Sequence, residues 1–600
     1  SYQPCYGADG EVLEWLSVFG SQNPLIVTKY DSNKQNQIYL NGTGFVELTP
    51  VRGLTLRSQL SASAFDHRSS SAYSPAMPQV NGPEGIGNAA ELFQRSYTWT
   101  WTNTAEYKTA FGQDRNHHFT ALIGEETIYT GADSFSAAVR GVTSTEFINL
   151  NMGTESDGRP SYSRSQFASN SVFGRVEYDY ANRYFFDVAL RNDASSRFAK
   201  DDRNALFWSV GAMWNIKNEA FLKDNTTISD LSLRASYGTQ GNSGIADYAF
   251  YQYLAPGYPY DGQTVWALAN PGTPNLQWEK QGLLTIGANI ELWSKLSLEV
   301  QYYRRQTTDM LMDIPQAPSS GFTSLPGNVG GMRNSGIDVT LNYDIYASRD
   351  WFVNFRATFN YNKNKLTKLW PGAGDEVPYG DFMYFVKGEA FPTYYVQEWR
   401  GVNPETGEPQ WTGADGEVTS EFSEAVPVNL HKSFVAPYTG GFGVTAQWKG
   451  IALTVDFAWV AGNYMVNNNL FFAANSENAL SGLNQVTEVL DYWKPDDRYG
   501  KKYPSLEYSA QAGGGTQFDS RMLEDASFLR LKNIQLSYTL PDHLMKKTRF
   551  IKGLKVYVGA RNLWTLTGYN GFDPEVAENV FDTDIYPNSR QWTFGLEFKF

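Results

Sequence analysis

The sequence predicts an all-β protein in the form of a transmembrane antiparallel β-barrel, and three observations point there. The last ten residues, Gln591 to Phe600, alternate large apolar with polar side chains. Successive side chains of a strand point to opposite faces, so Trp592, Phe594, Leu596, Phe598 and Phe600 share one face, while Gln591, Thr593, Glu597 and Lys599 share the other. An apolar outside over a wet inside suits a barrel strand in lipid. A sandwich strand alternates in the same way, so composition and the spacing of turns have to decide.

Composition is the second observation. Trp (17), Tyr (37) and Phe (37) make the 600-residue chain 15% aromatic, yet mean hydropathy is only -0.43. A barrel wall is apolar at every second position, which keeps overall hydropathy low while aromatic girdles raise the ring count. No uninterrupted apolar run approaches the roughly 18 residues of a spanning helix. Residue 1 opens Ser1-Tyr2-Gln3-Pro4 without a basic or apolar leader, the start expected of a processed chain or a fragment. Lone Cys5 cannot form an internal disulfide, and five His without paired spacing offer no zinc motif, so no cofactor is expected. A net charge of -14 argues against nucleic acid and suits solvated external loops.

The third observation is the rhythm of the connections. Tight turns fall at Pro50-Val51-Arg52-Gly53, Gly112-Gln113-Asp114-Arg115, Ala181-Asn182-Arg183, Trp293-Ser294-Lys295, Ser348-Arg349-Asp350 and Lys449-Gly450, with longer ones near 217–229 and 541–553. The opposite strand ends are joined by long polar segments at roughly 67–94, 131–165, 240–277, 307–333, 367–436 and 464–524. Short turns on one side and long loops on the other are the habit of outer-membrane barrels, whose long loops are extracellular. About seventeen strands result, from 36–49 to 590–600. With an odd count the two terminal strands run the same way and cannot close antiparallel, so an odd number of strands is expected to be missing. The segment 11–28 does not supply one: Val12, Leu13, Trp15, Leu16 and Phe19 do not alternate and read as a short loop helix.

At this point a family resemblance enters. Asn192-Asp193-Ala194-Ser195-Ser196-Arg197-Phe198, then Trp208-Ser209-Val210-Gly211 with Trp214, then Tyr237-Gly238-Thr239-Gln240-Gly241-Asn242 and Asn275-Leu276-Gln277-Trp278-Glu279-Lys280 stand in order. They are followed by Tyr302 to Leu311, Asn328 to Ile337, Asp525 to Asn533, Ala560-Arg561-Asn562-Leu563-Trp564 and Phe572-Asp573-Pro574-Glu575. This series, covering most of 170–600, resembles the SusC/RagA-like TonB-dependent transporters of the Bacteroidetes outer membrane. Trp214, Trp278 and Trp564 fall at strand ends, where a ring suits the membrane interface.

The resemblance implies a barrel of about 22 strands with a plugged lumen, an N-terminal plug domain, a motif contacting TonB and a small domain ahead of the plug. None of these N-terminal parts is found here, so the chain is expected to be the C-terminal portion of such a barrel, without the plug and about five strands. The resemblance also implies a multi-pass protein of a Gram-negative outer membrane, in contact with its lipid, with Trp592, Phe594, Leu596, Phe598 and Phe600 as C-terminal assembly signal. It implies energy-coupled import with a SusD-like surface lipoprotein as lid and TonB acting through the missing N-terminal part. Oligosaccharides are the favoured cargo, with oligopeptide import of the RagA type as the alternative and a passive porin-like or structural barrel further behind.

Ligand contact is expected from loop aromatics, whose flat rings stack on sugar faces or hold peptide side chains. Tyr248, Tyr251, Tyr253, Tyr258, Tyr260 and Trp266 form one group; Trp370, Tyr379, Phe382, Tyr384, Trp399 and Trp411 form another. Of these, Tyr258, Tyr260, Trp266, Trp370, Tyr384 and Trp399 are the candidate substrate-binding residues; packing of the loops on one another is the competing reading. The acidic runs Asn403 to Glu408 and Asp491 to Asp497 could offer oxygen to calcium but lack the EF-hand spacing. Asp573 and Glu575 are too close in one turn to flank a glycosidic bond. With His67, His117, His118, His431 and His543 scattered, no catalytic triad is expected and the protein is not read as an enzyme.

Overall fold

Alternation becomes one continuous antiparallel sheet. The computed structural model describes residues 30–76, 86–257, 259–380, 382–475, 485–509, 517–545, 550–575 and 586–600, together with Tyr6, Gly10 and Leu25. Val12, Leu13, Trp15, Leu16 and Phe19 lie outside the described residues. The main sheet has eighteen described strands, one of them the two-residue segment Glu155–Ser156. The others are the wall: β1 (Asp31–Val51), β2 (Leu54–Tyr73), β3 (Gly87–Phe111), β4 (His117–Val142), β5 (Ser161–Tyr180), β6 (Tyr184–Ser195), β7 (Asn204–Asn215) and β8 (Ile228–Asn242). It continues with β9 (Glu279–Leu292), β10 (Leu296–Pro315), β11 (Ser324–Ala347), β12 (Trp351–Lys368), β13 (Tyr438–Trp448), β14 (Ile451–Ala461), β15 (Phe528–Thr539), β16 (Gly553–Thr567) and β17 (Gln591–Lys599). Each pairs antiparallel with the next, and the outer edges of β1 and β17 have no partner strand among the described residues. The sheet is therefore open.

The outer face is the greasy one. In β6 the exposed side chains are Tyr184, Phe186, Val188 and Leu190 (37%, 54%, 48% and 53%), while Asp187 and Arg191 are half-buried. Water would penalise each exposed apolar Å² by about 25 cal/mol, whereas hydrocarbon does not. The inversion marks a lipid face. At the short-turn end, Trp214 and Trp293 are exposed and Trp351 stacks on Trp448 at 5.6 Å, a ring belt of the kind that lies at headgroup level.

Sequence explains the tight turns. Ala181-Asn182, Trp293-Ser294 and Lys449-Gly450 all have positive φ at both positions, the mirror-image turn whose twist matches that of the flanking strands. At Gly53, with φ 87°, a Cβ would collide with the Lys108 carbonyl oxygen, so only glycine fits.

Three expected loops are shorter than 67–94, 131–165 and 307–333, because β2, β3, β4, β5, β10 and β11 run far into them. Polar strands still satisfy their backbones in a ladder, and hydroxyl pairs join β4 to β5: Ser134 to Ser163 at 2.9 Å and Ser136 to Ser161 at 2.7 Å. Crossing the membrane needs only about 10 residues per strand, so the 26-residue β4 carries the wall well beyond it. A second correction concerns Trp278. It is not at a membrane interface but buried in a cluster with Phe198, Phe207 and Leu276, its indole N–H donating to the Arg203 carbonyl at 2.9 Å.

Candidate functional site at the mouth and lumen

The two longest connections, 369–437 and 462–527, fold together into one body at the mouth. Its framework is a four-stranded sheet (Glu376–Pro378, Met383–Val386, Thr393–Gln397, Pro427–Ser433) and a three-stranded one (Trp399–Val402, Pro409–Thr412, Val418–Thr419). Met383 and Tyr394 from the first loop pack with Val466, Leu470, Tyr503 and Met522 from the second. Burial of the Tyr503 phenol pushes its pKa up to about 12. At the seam, buried Asp519 accepts from the Trp411 indole at 2.9 Å and from the Arg521 guanidinium at 2.7 Å, while Arg521 lies 3.7 Å over the Trp399 ring. Tyr508 donates to Glu408 at 2.8 Å and Trp493 to the Pro404 carbonyl at 3.0 Å, fastening the loops at a second point.

That body absorbs half of the candidate rings. Trp370 meets Phe385 edge-on at 5.8 Å, Tyr384 stacks on Tyr395 at 3.9 Å, and Trp399 meets fully buried Trp411 at 5.5 Å. All three are half-buried, each against a ring of the same loop. Tyr260 and Trp266 are different: they belong to the arm carrying the hairpin Tyr253–Pro256/Trp266–Asn270 and are 79% and 62% exposed. Tyr258 lies outside the described residues. The five described candidates thus fall into two places, three in the mouth body and two on the arm.

Sequence reasoning overlooked the lumen wall, although strand alternation could have located it. Inward positions of β10, β11 and β12 carry Gln301, Tyr303, Arg305, Asn334, Asp338, Asn360 and Asn362, which line a cavity of about 450 Å³. Tyr303 donates to Asn362 at 3.0 Å, and the Asn360 amide to Asp338 at 2.5 Å. Such a surface offers amide and hydroxyl groups to a polar chain.

The acidic runs are spoken for. Lys501 bridges Asp491 at 3.0 Å and Asp497 at 2.5 Å, and the two carboxylates raise its pKa. Among the described residues no three His, Cys, Asp or Glu side chains converge as metal ligands. Asp573 and Glu575 clamp the chain just after β16 to β15 instead: buried Arg530 contacts Asp573 and lies 2.6 Å from Glu575, which also meets Lys532. Burial alone would raise the Asp573 carboxyl, but Arg530 and the backbone N–H groups of Glu575 and Asn588, each at 2.9 Å, hold it below its ordinary value.

With this geometry in view, likeness to known proteins becomes informative. Residues 10–445 match a family model described as TonB dependent receptor-like, beta-barrel. TonB-dependent receptor P3 of Formosa agariphila is 29% identical over 560 residues, covering 86% of this chain and 54% of the relative. TonB-dependent receptor SusC of Bacteroides thetaiotaomicron is 28% identical over 456 residues, covering 72% and 43%. The solved RagAB peptide transporter superposes with a TM-score of 0.90 at 34% identity, over 98% of this chain and 65% of that one. This chain spans less than two thirds of the length of each.

Proposed function

We propose that this chain, which belongs to the TonB-dependent receptor-like β-barrel family and within it to the SusC-like receptors, is the wall and mouth of an energy-coupled importer in a Gram-negative outer membrane. The observation that carries the reading is the superposition on the RagAB peptide transporter along 98% of the chain. In this reading a SusD-like surface lipoprotein covers the mouth and TonB acts through a plug outside this chain. An odd number of additional strands joins β1 to β17, because those two edges run in the same direction. The apolar face of β17, from Trp592 to Phe600, serves as assembly signal. Removing Phe600 is expected to lower the amount of assembled receptor.

Oligopeptides are the cargo this reading favours. Trp370, Tyr384 and Trp399 are engaged by neighbouring rings, and the lumen cavity offers Asn, Gln and Tyr groups that pair with peptide N–H and C=O. Oligosaccharide import is the second reading, favoured by exposed Tyr260 and Trp266.

The test is mass spectrometry of everything that copurifies with the receptor from outer membranes. A surface lipoprotein with a peptide pool is the expected result; an oligosaccharide in its place overturns the peptide cargo. A chain that purifies alone as a closed, conducting pore overturns the importer.

A further inference from the structure

The mouth holds a second cavity, of about 400 Å³, between the 243–278 connection and the loop-side ends of β10 and β11. Its apolar lining includes Ile245, Leu311 and Met312, and Tyr253 stands at its rim. Leu311 and Ile245 also pack on the Phe198 and Trp278 cluster, which gives the cavity a rigid floor. Asn270 keeps the arm in place over it, donating to the carbonyls of Ala249 at 3.2 Å and Tyr251 at 3.1 Å.

The charged residues lining it are two aspartates, one of them already paired. Asp247 and Asp313 both line it, and Glu279 sits beside it, accepting from the Leu311 backbone at 3.1 Å. Arg197 is held against Asp247 at 2.9 Å and over the Phe167 ring at 4.3 Å, which compensates Asp247 and leaves Asp313 as the open carboxylate. Asp313 is exposed and makes no ion pair among the described residues. Apolar walls ending in an open carboxylate match a side chain with a methylene stem and a cationic head.

From this geometry we propose that the mouth cavity is a subsite for a lysine or arginine side chain of the cargo. The inference rests on the peptide reading above and adds a charge preference to it. The chain's net charge of -14 acts in the same direction, raising the local concentration of cationic peptides before they dock.

The experiment uses the full receptor with its partner lipoprotein in detergent, and three dansylated alanine pentapeptides with lysine, norleucine or glutamate at the centre. Wild type is expected to bind the lysine peptide about tenfold more tightly than the norleucine one. Asp313→Asn should remove most of that preference while leaving norleucine affinity unchanged, and Asp313→Lys should turn the preference toward glutamate. Because Asp313 is exposed, both variants should fold. Equal affinity for lysine and norleucine in wild type, or a lysine preference that survives both variants, overturns the subsite and leaves the importer reading intact. Failure to bind any of the three peptides removes the peptide reading and the subsite together.

Discussion

Two aromatic-rich connections of this protein look alike in composition and end differently. In 369–437 the rings have a second loop to pack against, so Trp411 is fully buried and Trp399 lies under the Arg521 guanidinium. In 243–278 the arm carrying Tyr260 and Trp266 has no such cover among the described residues, and both rings are exposed. A ring's role follows from what another segment brings to it, not from the richness of its own segment. The first connection is built for rigidity; the second presents contact surface.

The sharpest way to break that contrast is at the seam. Asp519→Ala leaves the Arg521 guanidinium and the Trp411 N–H without their buried acceptor, an expected loss of about 3–5 kcal/mol. It should appear as early proteolysis of 369–437 with the β-wall still protected. A variant as resistant as wild type would mean the two loops are not one body. Trp411→Phe keeps an aromatic ring but drops the hydrogen bond and part of the buried indole volume, and should cost about 1–3 kcal/mol in the same assay.

Acid provides a graded version. The folded Asp573 carboxyl lies below its ordinary value, so the clamp's stabilisation is present at neutral pH and is lost as pH falls below about 3.9 through the folded value. Protection of the amides near 568–575, taken relative to their intrinsic exchange rate at each pH, should fall on acidification, and Asp573→Asn should show low protection already at pH 7. Exchange unchanged in that variant would show that Glu575 alone holds the loop. The smallest effects belong to the arm: Tyr260→Ala and Trp266→Ala should change stability by no more than about 0.5 kcal/mol. If either lowers oligosaccharide binding severalfold while peptide binding is untouched, the cargo assignment reverses.

Particular residues show how far sequence reading could reach. The apolar face of β17 was plain from alternation alone, because period two is a local property of extended chain. The tight turns were equally plain, since a turn is decided by four adjacent residues. The limits of β4 and β5 were not, because the serines that suggested a loop pair across strands 25 or more positions apart. Trp278 was misplaced for the same reason: its partners Phe198 and Phe207 come from another hairpin. The mouth cavity drew Asp247 from a connection and Asp313 from the end of β10, and nothing in their local pattern links them.

By itself, then, the sequence determined an all-β barrel wall, its outward face and its short-turn end, because all three rest on periodicity and neighbouring residues. Only the tertiary structure decided which loop rings are structural, which carboxylates are paired and where a side chain could be received. Those outcomes depend on burial and on partners brought together from distant parts of the chain, and burial is a property of the assembled surface.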